Sequence, residues 1–120
     1  MRNYKLNKPL AGYHILMILS AVDFKFLPEE DLVIRKFLAQ EFPFQINLDD
    51  QMEEISRLYP TEWEQHFRKV LEDFYDESTE DERKNFIQFA IELVKADAVV
   101  TKEENQYMRI LFKEWGISRN

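Results

Sequence analysis

The chain has 120 residues, 45% apolar and 14% aromatic, with a formal net charge of −7. That is enough apolar mass to bury the core of one domain, and too much for a disordered chain despite 32% charged residues. Lack of cysteine excludes disulfides, cysteine-ligated zinc, iron–sulfur clusters and thiol nucleophiles, and the acidic balance argues against nucleic acid as a partner. Basic residues, Arg68–Lys69, Arg83–Lys84, Lys95, Arg109 and Lys113, are scattered along the chain and are expected to form no stripe.

Residues 1–8 read as an N-terminal arm and residues 9–120 as one helical domain. Pro9 opens a first helix, with Asn7 upstream, that runs to about Val22. Its stretch "PLAGYHILMILSAV" has 14 residues, against about 20 needed to cross a bilayer, so direct membrane insertion is not expected. The start "MRNYKLNK" lacks the order of a secretion signal, and the expected location is the cytoplasm. His14 reads as a hydrogen-bonded core or boundary residue. A second helix starts at Pro28, carries Leu32, Ile34, Phe37 and Leu38, and ends near Gln40 ahead of Pro43. A third follows Asn47 with Leu48, Met52, Ile55 and Leu58, and stops at Pro60.

Thr61 and Glu64 have capping-box spacing and open a fourth helix with Trp63, Phe67, Val70, Leu71 and Phe74 on one side. The run Asp73, Asp76, Glu77, Glu80, Asp81, Glu82 reads as a solvated connection. Thr79 and Glu82 repeat the box for a fifth helix, and Thr101 and Glu104 for a sixth that ends at Gly116. The expected fold is therefore all-α, a compact single-domain bundle of about six helices. The first and fifth helices (about 9–22 and 80–96) have the widest apolar arcs and are expected at the centre.

An offset of 74 positions lays "AVDFKFLPEEDLVIRKFL" (21–38) on "KADAVVTKEENQYMRILF" (95–112). Asp23 meets Asp97, Glu29 meets Glu103, Glu30 meets Glu104 and Arg35 meets Arg109, with apolar positions coinciding between them. The order of buried helix, Asp, loop, Glu pair and amphipathic helix thus occurs twice, which implies an internal pseudo-twofold repeat.

The two acidic corners, "DFKFLPEE" (23–30) and "DAVVTKEE" (97–104), resemble the Asp-Gly-x-Ile-[Ser/Thr/Asp]-x-x-Glu pattern that occurs twice in the TerB-like family. That family includes tellurite-resistance TerB proteins and the TerB-like domain of DjlA-type co-chaperones. The resemblance covers roughly residues 9–117; Phe24 and Ala98 replace the glycine of each copy, and Leu27 replaces the polar cap of the first. It implies a compact helical domain, a stress or tellurite-resistance setting, and an acidic surface proposed to bind metal ions.

Two readings of the corners stay open. Asp23 with Glu30, and Asp97 with Glu104, could each hold a hard divalent cation of the Ca²⁺ or Mg²⁺ type, with Glu29 and Glu103 as accessory carboxylates. Neither corner is an EF-hand: counting from Asp97 puts Val99, Thr101, Lys102 and Met108 at positions 3, 5, 6 and 12. In the preferred reading the same carboxylates cap helix ends. His66 has no zinc-binding partner in its vicinity in sequence, and no nucleophile, base and orienting group can be assembled. The expected function is accordingly non-catalytic: a TerB-like module that binds a protein partner, with cation sensing as the alternative.

Overall fold

A computed structural model describes residues 7–20, 28–42, 49–95 and 102–116. The first helix, α1 (Lys8–Ser20), begins where Asn7 Oδ1 accepts the Leu10 N–H at 3.1 Å. Every residue from Ala11 to Leu19 is buried, as befits a helix with no charged side chain after Lys8. Around it pack α2 (Pro28–Glu41), α3 (Asp49–Ser56), α4 (Trp63–Glu77), α5 (Glu80–Lys95) and α6 (Lys102–Glu114), and the described residues contain no strand. The Cα radius of gyration is 13.2 Å, close to the roughly 13–14 Å of a compact domain this long.

α1 is central, as its composition requires. The helix packed most extensively along it is α4, whereas α5 turns Lys84, Asn85, Gln88 and Glu92 outward. α4 wins this place because Trp63, Phe67, Val70, Leu71 and Phe74 form one continuous stripe, all buried. An aromatic seam closes the core where α4, α5 and the end of α6 meet. Phe74 stacks on Trp115 at 5.3 Å and meets Phe86 at 4.5 Å between ring centroids. The Trp115 Nε1–H donates to the Leu71 carbonyl at 3.0 Å, so its one polar atom is satisfied.

The repeat reappears in the element bounds. α2 and α6 start at residues 28 and 102, one offset of 74 apart, and α1 shifted by the same amount falls within α5. Two residue pairs equated by that offset touch each other. Lys8 Nζ reaches Glu82 Oε2 at 2.6 Å, and a Cβ on Gly12 would lie 3.1 Å from Phe86 Cε2. Such contacts are what the twofold repeat expected from the sequence would place at its axis, and they lie on successive turns of α1 and α5.

The Thr79–Glu82 capping box forms as expected, with the Glu82 N–H on Thr79 Oγ1 (3.2 Å) and the Thr79 N–H on Glu82 Oε1 (2.8 Å). Burial pushes the Glu82 carboxyl up, but the Lys8 ammonium and the Thr79 N–H outweigh it and hold the group below its usual range. Gly116 closes α6 at φ +64°, the left-handed conformation expected of it.

Five expectations change. The fifth helix was expected at the centre with the first, but α4 takes that place along α1 and α5 keeps an exposed polar face. The Thr61–Glu64 box does not open α4: Pro60–Glu62 form a 3₁₀ turn, and Glu62 Oε1 reaches back to the Tyr59 N–H at 2.9 Å. Only the carboxylate half of a box forms, two residues upstream, where Pro60, lacking an N–H, takes a first-turn place. Leu32 is 67% exposed, because Ile34, Phe37 and Leu38 set the inward stripe of α2 and Leu32 lies off it. Asp73 is fully buried within α4 and pairs with Lys69 at 2.5 Å, so it does not belong to the solvated run. Finally, folding gathers basic residues that the sequence scatters, as described next.

Candidate functional site

Asp23 and Asp97 lie outside the described residues. Glu29, Glu30, Glu103 and Glu104 fall in the first turns of α2 and α6, but their side chains also lie outside the described residues. Among the described residues no group of three or more His, Asp or Glu side chains is placed to hold a metal ion.

Among the described residues, three of the polar clusters join helices that are distant in sequence. The innermost joins α1, α3 and α4: His14 Nδ1 lies 2.8 Å from His66 Nε2, and His14 Nε2 lies 2.7 Å from Gln51 Oε1. With the Gln51 carbonyl accepting, His14 carries its proton on Nε2, and its Nδ1 accepts the His66 Nε2–H. The two imidazoles are bonded directly, too close for a metal between them, since two ligands at about 2.0–2.1 Å from zinc sit farther apart. This cluster ties three helices together and offers no open coordination position.

The second cluster joins α1 to α2. The Tyr13 hydroxyl donates to Asp31 Oδ1 at 2.5 Å, Arg35 Nε reaches the Asp31 carboxylate at 3.0 Å, and the Arg35 guanidinium lies over the Tyr13 ring. Burial, and then the bond to Asp31 and its charge, push the Tyr13 phenol far above its ordinary value.

The third cluster is at the surface, between α4 and α6. A groove of about 500 Å³ is lined by Glu64 and Arg68 of α4 and by Lys102, Asn105, Gln106, Arg109, Ile110 and Lys113 of α6. Lys102, Gln106, Arg109 and Lys113 follow one another at helical spacing and are exposed, while Ile110 is buried at the floor. Arg68 is engaged by Glu114 at 2.6 Å and Glu64 at 3.5 Å, which fixes it across the interface of the two helices. Lys102, Arg109 and Lys113 make no ion pair with the described residues. Beneath them Tyr107 packs edge-on against Phe67 at 4.9 Å; burial, then the Glu64 charge, raise its phenol.

The groove therefore carries four cations and one carboxylate on a chain with a net charge of −7. Reading basic residues by adjacency in sequence missed it, because Arg68 arrives from another helix. The signal was the spacing Lys102, Arg109, Lys113, which repeats on one face of a helix. The histidine pair had a fainter signal: His66 shares the inward stripe of Trp63, Phe67 and Val70.

The chain matches no protein-family model, no curated protein and no solved structure.

Proposed function

We propose that the protein is a non-catalytic helical module that binds a protein partner through the α4–α6 groove. The observation that carries this reading is the cationic groove itself, with Lys102, Arg109 and Lys113 presented outward on a rigid helix docked to α4. The other two polar clusters support it from the other side. Gln51–His14–His66 and Tyr13–Asp31–Arg35 are spent on joining helices, whereas the α4–α6 face presents its cations to the outside. The TerB-like resemblance of the two corners supplies a setting, a cytoplasmic stress-response assembly.

The test is a photo-crosslinking amino acid at Gln106 in the full chain, with the same group at exposed Gln88 on α5 as the control. A discrete protein adduct in native extract from Gln106 and not from Gln88 is the expected result; equal adducts, or none, would remove the reading. Cation binding at the two corners is the second reading, favoured by the shared register of α2 and α6, which puts Glu30 and Glu104 at equivalent helix positions. Calorimetric titration with Ca²⁺ and Mg²⁺, heat-silent in both cases, would exclude it.

A further inference from the structure

We infer that the segment received by the α4–α6 groove is an acidic helix whose carboxylates are spaced to meet Lys113, Arg109 and Lys102; this rests on the reading of the groove as a partner site. On α6 the cations stand about 6 Å and then about 10 Å apart along the axis, at 1.5 Å per residue, about 16 Å in all. A helix lying antiparallel to α6 in the groove meets them with acidic residues at i, i+4 and i+11, the helix-in-groove mode of recognition. Arg68 is already neutralised by Glu64 and Glu114, so among the described residues the open charge is that of these three. Three carboxylates balance it.

Charge density separates this occupant from a polyanion. Duplex nucleic acid presents about one charge per 1.7 Å, or about nine over the length of the groove, against three open cations. The rest of the surface is acidic, and it repels that surplus far more strongly than a peptide bearing three carboxylates. The chain's own acidic corner at Asp76, Glu77, Glu80 and Asp81 is a second possible source of carboxylates. It crosses from the end of one helix to the start of the next, so it lacks the single helical face that the spacing demands.

The experiment is a fluorescence-anisotropy titration of the full chain with a labelled helical peptide carrying Glu at i, i+4 and i+11. A peptide of the same composition, with the three glutamates distributed around the helix, is the comparison. The matched peptide is expected to bind several-fold more tightly, and to weaken several-fold between about 0.05 and 0.15 M salt as screening shortens from roughly 14 to 8 Å. Lys102→Glu, Arg109→Glu and Lys113→Glu together are expected to weaken it about tenfold or more, with an unchanged melting temperature because all three are exposed. The same triple variant should gain binding to a peptide with Lys at i, i+4 and i+11.

Equal binding of the two acidic peptides, equal or tighter binding of a short DNA duplex, or failure of the charge exchange would each overturn the inference. So would concentration-dependent self-association of the free chain that the triple variant abolishes. A specific Gln106 adduct together with no preference for the matched peptide removes the acidic helix and leaves the groove as a partner site. Absence of the adduct removes the site reading as well.

Discussion

Arg35 and Arg109 occupy the same position in the two copies of the repeat, yet the first is consumed by the fold and the second faces outward. Arg35 is held by Asp31, four residues earlier, and Asp31 is held in turn by Tyr13. At the equivalent positions of the second copy stand Asn105 and Ile87, so neither the carboxylate nor the phenol exists there. Equivalent sequence positions therefore make an internal clamp between α1 and α2 in one case and an open cation beside α4 in the other. Two side chains separate a structural arginine from one available to a partner.

The largest test of that comparison addresses the duplication itself. Phe86→Ala should cost about 3–5 kcal/mol in denaturant unfolding, because Phe86 is fully buried against Phe74 and Trp115. Exchanging the axis pair, Gly12→Phe with Phe86→Gly, should recover stability relative to Phe86→Gly alone by about 2 kcal/mol. A double variant no more stable than Phe86→Gly would mean that the two positions are not interchangeable across an axis.

Next in size is the arginine contrast. Arg35→Met leaves a part-buried Asp31 without its cation and should destabilise by about 1–3 kcal/mol. Arg109→Met should stay within about 0.5 kcal/mol. Equal costs would show that Arg109 is also structural.

The tyrosines extend the contrast to alkaline pH. Tyr13 binds its proton more tightly in the native chain than in the unfolded one, so its contribution is complete below about pH 10 and is lost as pH rises beyond it. Above pH 10 the stability should fall by up to about 1.4 kcal/mol per pH unit from this group. Tyr13→Phe should flatten that fall in urea midpoints more than Tyr107→Phe, because Tyr13 has a carboxylate bonded to it in addition to burial. An identical slope in both variants would disconnect Asp31 from the effect.

The smallest expected effect is the most specific. Asn105→Asp should install the first copy's i, i+4 pair in the second, adding about 0.2–0.5 kcal/mol of stability. It should also draw Arg109 away from the groove and weaken binding of the acidic peptide. Unchanged or tighter binding would separate the Arg109 charge from recognition.

Helix positions were readable because they rest on local rules. Asn7, Thr79 with Glu82, and Gly116 act through neighbours three or four residues away, and each does so as its type predicts. The α4 start was misplaced because Glu62 bonds back to the Tyr59 N–H and Pro60 opens a 3₁₀ turn, so Thr61–Glu64 does not close as a box. Leu32 illustrates a different limit. One apolar residue off the stripe looks like core until the stripe is drawn through Ile34, Phe37 and Leu38. The long-range clusters were the least legible, since His14 and His66 are 52 residues apart and Arg68 and Glu114 are 46 apart. Such pairings follow from which helices become neighbours, and periodicity on a single helix is silent about that.

The contact of α1 with α5 shows why an internal repeat can be faint in sequence. Where a residue touches its own duplicate, identity is physically unfavourable. Two lysines would repel, two phenylalanines would overlap, and two glycines would leave a void. The pairs found there are Lys8 with Glu82 and Gly12 with Phe86, opposite in charge and opposite in size. At these positions the two segments of the repeat differ, and packing favours complementary pairs over matching ones. A sequence repeat is therefore hardest to read where its own equivalent positions touch.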